Sequence, residues 1–365
     1  MKRQSVILAP DLPSERWWSM DYYWREFQKH IPNLAGQFNF KTALPDPGRS
    51  RLWDRHVLYP HRIETLFKSS GKNSILHILD HSYGHLCRSD VPTVVSCHDL
   101  AEWRNRSLSW GQYLWWKSRV RGILRAQHFF ALSESTSNDL QEFFKIDPSQ
   151  ITVNPLGIDS RYEKIEVSDQ EFERFPMLRV LQERKKQGDF LLLHVGSNIS
   201  RKNIPTLLKA FKGLKEKGRK VSLVKAGEMI FPGELANWII SESLQDSVVE
   251  IKEPAFEELH RIYSLCDLLC FPSLYEGQGL PVLEAQVCGL PCVISSATSL
   301  KEVGGDSVLY HDPLNPEELA TQIERVMDSP ELRNNLIQKG FENVKRFTWG
   351  EHFNRLAGVY RKLTV

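Results

Sequence analysis

Short apolar runs punctuate the chain, and several are followed by a polar loop and then by helical spacing of apolar positions. In the first half the runs fall at residues 5–9, 74–81, 93–100 and 128–132; in the second half at 190–196, 221–226, 248–252 and 266–271. Continuous apolar runs of this length, bounded by turn residues, predict strands buried on both faces. Helical periodicity is seen at 20–29, 204–215, 257–266, 317–327 and 331–344. The alternation across 190–312 predicts a parallel sheet covered by helices on both faces, so the class is α/β. Between the two series, residues 160–187 are charged, contain Pro176 and offer no clear strand, and a linker is expected at 166–187.

A chain of 365 residues is too long for one ordinary core and fits two domains. Domains are expected at 1–165 and 188–345, with a closing segment at 346–365. A composition of 41% hydrophobic and 25% charged residues is that of a soluble globular protein, and a net charge of +2 gives no argument for a nucleic-acid partner. The cysteines lack metal-ligand spacing: Cys266/Cys270 and Cys288/Cys292 sit four apart inside apolar segments, as buried free thiols of a reducing compartment do. The apolar start of the chain is cut short by Asp11 and Pro13, and no run approaches transmembrane length, so a cytoplasmic location is expected.

The richest stretch is FPSLYEGQGLPVLEA at 271–285. A strand leads in, Pro281 suits the first turn of a helix, and Gly289 suits the position just past its end. Gly277 and Gly279 leave the intervening backbone N–H groups uncovered, and a helix N-terminus with bare amides is a phosphate site. Glu276 opens the loop and Glu284 is expected in the first helical turn. Carboxylates repel phosphate, so hydroxyl groups are their better partners. Phosphate together with hydroxyls points to a sugar nucleotide; the plainer alternative is a corner with two solvated acids. The loop after 190–196 adds Arg201 and Lys202 just ahead of a helix, where a cation can clamp a diphosphate. Arg201 is either a second phosphate contact or a solvated neighbour.

Set in P-S-x-x-E-G-x-G-L-P-x-L-E-A, Glu276 and Glu284 resemble the donor-site signature of the retaining glycosyltransferases of family 4, the glycosyl transferases group 1. The resemblance continues through GLPCVI at 289–294 and LKEVGG at 300–305, and more loosely through the first half. It implies the GT-B fold: two Rossmann-like doubly wound parallel-sheet domains facing each other across a cleft, with 346–365 crossing back to the first. By the same resemblance Glu276 would hold donor-sugar hydroxyls and Glu284 the ribose. Lys202 and the amides of Gly277, Gln278, Gly279 and Leu280 would meet the leaving diphosphate, beside Gly196 and Ser197. Relatives often place an arginine where this chain has Ser197. A nucleotide-diphosphate sugar would then be donor substrate with no cofactor and no metal, the leaving phosphate itself taking the acceptor proton. The implied reaction moves a mannose-like or glucose-like hexose to a hydroxyl of a saccharide or lipid-linked saccharide, in surface polysaccharide biosynthesis.

His98 and Asp99 end the run at 93–100 in a segment similar to the family's P-x-V-x-T-x-H-D. A neutral His98 there would bond sugar hydroxyls or orient the acceptor; otherwise it is a satisfied core histidine beside a capping aspartate. Trp17, Trp18, Ser19 and Asp21 follow the first strand, where doubly wound sheets line their crevice, and with Asp99 form a candidate acceptor wall. The two tryptophans equally suit core packing. Residues 102–125 interleave Trp103, Trp110, Tyr113, Trp115 and Trp116 with six cations. That mixture fits a peripheral membrane contact, and equally an N-domain helix with a solvated basic face. Two other classes share the expected fold: an epimerase or phosphorylase, and a silent binding protein.

Overall fold

Each of the apolar runs forms a parallel strand, and the strands sort into two sheets. The computed structural model describes residues 3–13, 18–44, 50–71, 74–105, 111, 114, 117, 120–227 and 231–363, apart from the side chains of Trp18 and Asn105. Two compact units result, Met1–Gly157 with Trp349–Val365, and Ile158–Thr348.

The first unit carries β1 (Gln4–Ala9), β2 (Phe38–Thr42), β3 (Ser74–Ile78), β4 (Thr93–Cys97), β5 (His128–Ala131) and β6 (Ile151–Val153), ordered β2-β1-β3-β4-β5-β6. Strand β2 and the helical stretch from 51 to 70 lie where the run pattern predicted nothing. Phe38 and Phe40 alternate with Asn39 and Lys41, a half-buried edge strand beside β1. The helix Trp18–Leu34 is longer than the periodicity at 20–29 implied and has Pro32 near its end. The closing helix Trp349–Lys362 belongs to this unit. Its Tyr360 hydroxyl lies 2.6 Å from Nδ1 of His77 on β3, and its His352 lies 3.0 Å from the Pro155 carbonyl. Burial lowers both imidazoles to about 3, so they are neutral partners in this core.

The second unit carries β7 (Phe190–Val195), β8 (Val221–Gly227), β9 (Val248–Lys252), β10 (Leu268–Phe271), β11 (Cys292–Ser295) and β12 (Leu309–His311), ordered β12-β11-β10-β7-β8-β9. Side chains alternate between two cores: Leu191, Leu193, Leu269 and Phe271 enter one, Leu192, Leu268 and Cys270 the other. The chain builds outward from β7 to β9, then returns to the other side of β7 and builds from β10 to β12. Strand order therefore reverses between β7 and β10, the place where loops leaving the strand ends part and open a crevice. The six cysteines are buried free thiols.

The expected linker at 166–187 is a correction. It forms two helices, Asp169–Arg174 and Pro176–Lys186, whose Phe172, Leu178 and Leu181 enter the core of the second unit. A capping box from Ser168 and Glu171 starts the first, and Pro176 opens the second rather than breaking one.

Candidate functional site

The two strands that flank the reversal in the second sheet deliver the two loops that carry its charge. From β7 the chain turns at Gly196, passes a single 3-10 turn, Ser200–Lys202, and enters the helix Ile204–Glu216. From β10 it runs through 272–279 into the helix Leu280–Val287. Gly196 has φ +145°, and the Cβ of a residue at Gly227 would lie 2.2 Å from its carbonyl oxygen, so the two strand ends meet backbone to backbone. Buried Lys225 on β8 donates to that same carbonyl at 2.5 Å. Asn203, in the left-handed region at φ 55°, stitches the loops: its Nδ2 donates to the carbonyls of Pro272 (3.0 Å) and Pro313 (2.6 Å). The Leu274 amide donates to the Arg201 carbonyl at 2.7 Å.

Glu276 sits at the centre of this arrangement, 5% exposed. Lys202 reaches one carboxylate oxygen at 2.6 Å and Arg201 the other at 2.9 Å. Arg201 also donates to the Tyr275 carbonyl at 3.2 Å. Burial by itself would raise the Glu276 pKa, but Lys202 and then Arg201 hold it below the usual carboxylate range. Arg201, which the sequence left between a phosphate contact and a solvated neighbour, is thus an ion-pair partner of Glu276. The Glu276 backbone is gripped as well: its N–H donates to Thr298 Oγ1 at 3.1 Å and its carbonyl accepts from Ser299 Oγ at 2.8 Å. Neither hydroxyl was singled out from sequence.

The helix Leu280–Val287 is capped by Gly279 at φ +89°. A Cβ there would lie 2.7 Å from Leu300 Cδ2, so both the dihedral and the space call for glycine. The first amides of such a helix have no partner within it and carry its positive dipole end. Gly277 and Gln278 are buried in the loop, and Leu280 is half-buried at its first position. Glu284 lies one turn further in than expected: the first turn holds no acid, and Glu284 is its fifth residue. It is buried and accepts from the Tyr263 hydroxyl at 2.7 Å. Burial pushes its pKa up to about 7; the Tyr263 hydrogen bond opposes this and the charge of Asp159 adds to it. Tyr263 was visible in the sequence only as a helix residue. Ser197, half-buried, takes the place next to Gly196.

In the first unit His98 follows β4. Its Nε2 donates to the Leu79 carbonyl at 2.9 Å, and its ring meets Tyr23 edge-on at 4.8 Å between centroids. Burial lowers its pKa, with Asp80 and the Leu79 carbonyl opposing. A neutral ring that donates from Nε2 keeps Nδ1 as an acceptor. Asp99 does what a capping aspartate does, accepting from the Ala101 amide at 3.1 Å. Ser19 and Asp21 are exposed on the helix Trp18–Leu34. Trp17 lies outside the described residues, as does the side chain of Trp18.

Of the aromatic–basic stretch, Trp103 packs edge-on against Phe144 at 4.9 Å, and Arg104 pairs with buried Asp139 and exposed Glu142. Leu124, Arg121 and Arg125 are exposed. Trp110, Tyr113, Trp115 and Trp116 lie outside the described residues. Among the described residues no helix is long and apolar enough to cross a membrane.

Comparison with known proteins gives the family and the fold. The Glyco_transf_4 model, Glycosyltransferase Family 4, matches residues 25–162, and the Glycos_transf_1 model, Glycosyl transferases group 1, matches 181–343. The O-antigen chain mannosyltransferase B of Escherichia coli is 26% identical over 68% of this chain and 66% of its own length, a little under two thirds of that protein. The D-inositol 3-phosphate glycosyltransferase of Nocardiopsis dassonvillei is 28% identical over 96% of this chain and 87% of its own. In fold, the chain is similar to the sucrose-phosphate synthase of Thermosynechococcus elongatus, with TM-score 0.77 at 17% identity over 99% of both chains. With two parallel α/β sheets, a GT-B-like fold and family models that match residues 25–162 and 181–343, this chain belongs to the group 1, family 4 glycosyltransferases of the GT-B fold.

Proposed function

We propose that the chain transfers a mannose-like or glucose-like hexose from a nucleotide-diphosphate sugar to a hydroxyl of a saccharide or lipid-linked saccharide, with retention at the anomeric carbon and without a metal. The observation that carries this reading is the Lys202–Glu276–Arg201 ion pair at the strand-order reversal of the second sheet. Cations and an anion are held together beside a helix N-terminus, the complement of a diphosphate joined to a polyol. Mannosyl transfer is favoured by the likeness to the Escherichia coli O-antigen chain mannosyltransferase B.

In this reading Lys202, Arg201 and the first amides of the helix Leu280–Val287 take up the charge that develops on the leaving diphosphate. The chain's own cations do the work asked of a divalent ion in other transferases. Glu276 holds donor-sugar hydroxyls, and Glu284, through the oxygen that Tyr263 leaves open, holds the ribose. Gly196 and Ser197 let the phosphates approach the β7 loop. The acceptor hydroxyl attacks the anomeric carbon as the bond to the diphosphate breaks, and its proton passes to the departing phosphate oxygen. His98 Nδ1 accepts from a sugar hydroxyl and orients it. Ser19, Asp21, Trp17, Trp18 and Asp99 remain acceptor-side candidates, Asp99 through the backbone it caps. A peripheral membrane contact within 102–125 rests on Leu124, Arg121 and Arg125, whose exposed mix of apolar and cationic groups suits anionic lipid.

Incubation with GDP-mannose, GDP-glucose, UDP-glucose and UDP-galactose, with and without oligosaccharide acceptors, tests the proposal. Acceptor-dependent release of nucleoside diphosphate with an α-linked product from an α-linked donor is expected. Sugar release that does not depend on acceptor, or binding without turnover, contradicts it. Loss of sedimentation with phosphatidylglycerol vesicles on replacing Leu124, Arg121 and Arg125 is the separate test of the membrane contact.

A further inference from the structure

Glu276 occupies both cations that the diphosphate needs. Lys202 and Arg201 each take one of its oxygens, so the carboxylate is fully committed and so are two of the positive charges nearest the β7 loop. The triad is built in rather than incidental. Lys202 and Glu276 are 8% and 5% exposed, the Glu276 backbone is fixed on both sides by Thr298 and Ser299, and Arg201 is tied through its carbonyl to Leu274 and through its guanidinium to Tyr275. The Glu276 backbone therefore stays beside the cations when a ligand draws them away.

Resting on the donor-site reading above, we infer that Glu276 is an internal competitor of the diphosphate, so that the site selects the intact sugar nucleotide over its spent nucleoside diphosphate and expels the latter after transfer. With an intact donor the exchange is balanced. The diphosphate takes Lys202 and Arg201, and the sugar hydroxyls donate to the carboxylate they leave behind. A nucleoside diphosphate without sugar takes the cations and gives Glu276 nothing, leaving a buried carboxylate beside a second anion. Once the hexose has moved to the acceptor, the carboxylate reclaims Lys202 and Arg201 and pushes the diphosphate out. One residue thus serves substrate choice and product release.

The test is calorimetric titration of the wild-type chain and of Glu276→Gln with GDP, UDP, GDP-mannose and UDP-glucose, no acceptor present. Wild type should prefer one sugar nucleotide to its own nucleoside diphosphate. Glu276→Gln should bind that diphosphate more tightly than wild type, by about tenfold or more, while binding the sugar nucleotide no better, so the preference collapses. Because the variant leaves two cations without their anion and loses stability, the rise in Tm on adding the diphosphate is read in parallel, and it should be larger in the variant than in wild type. Equal or weaker diphosphate binding by Glu276→Gln overturns the inference while leaving the donor site standing. Failure of the wild-type chain to bind any of the four overturns the donor-site reading itself, and the inference with it.

Discussion

Lys202 and Glu276 form a buried ion pair at 2.6 Å, joining the end of the β7 loop to the loop that leads from β10 into the helix Leu280–Val287. The pair spans the point where strand order reverses, so it binds together the two halves of the second sheet's crevice as well as two charges. Arg201 completes the neutralisation of the carboxylate from its other side. Removing Lys202 accordingly does two things. In Lys202→Met the buried carboxylate keeps only Arg201, and stability should fall by about 3 kcal/mol, read by urea unfolding. Transfer should fall by about 10²–10³-fold, since a preorganised charge at the leaving group is lost. A variant of wild-type stability and rate contradicts both roles.

Glu284 gives a prediction for pH. Its carboxyl has an ordinary value of 4.5 in the unfolded chain and about 7 in the fold. Between those values the folded state binds more protons than the unfolded one, so stability falls as pH rises from about 4.5 to about 7 and levels off above. The total is about 3 kcal/mol. Glu284→Gln, neutral throughout, should lack this decline. Its Tm relative to wild type should climb by several degrees between pH 5 and pH 8. Parallel Tm profiles for the two proteins would remove Glu284 from this role.

His98 should act as a neutral group. With Nε2 donating to the Leu79 carbonyl and burial lowering its pKa below the usual imidazole range, it is neutral at pH 8. His98→Ala should lower kcat by about 10²-fold or more and leave donor affinity within a small factor. An unchanged kcat returns His98 to the packing role that its contact with Tyr23 would by itself explain.

Gly279 tests the loop geometry. Alanine there must adopt φ +89° and displace Leu300 Cδ2, at a cost of about 1–3 kcal/mol. If the helix amides hold the diphosphate, the shifted cap should also raise KM for the donor. A stability loss with unchanged KM places the amides outside the site.

Much of this was legible in the chain itself. Most strands of both sheets are short, largely apolar runs, and the loop from β10 announces itself by glycines and a proline placed as a helix start needs them. What escaped was decided by long-range packing. Strand β2 is an edge strand with only two aromatic residues facing inward, and the helices at 169–186 are mostly polar, so neither shows a continuous run. The tie between Arg201 and Glu276 spans 75 positions, and only the topology of β7 beside β10 brings the two together. The same holds for Thr298 and Ser299 on the Glu276 backbone, and for Tyr263 on Glu284. Sequence placed Glu284 in the first turn because Pro281 reads as the first helical residue, whereas the helix begins one residue earlier at Leu280 and Glu284 is its fifth residue.

The most direct measurement of the central claim is a crystal structure of the chain with GDP or UDP bound. The account predicts the diphosphate within hydrogen-bonding distance of Lys202 Nζ and of the amides at the start of the helix Leu280–Val287, with a ribose hydroxyl on Glu284. Nucleotide density bound away from the loop at 272–279, with Lys202 and Arg201 still closed on Glu276, would contradict it.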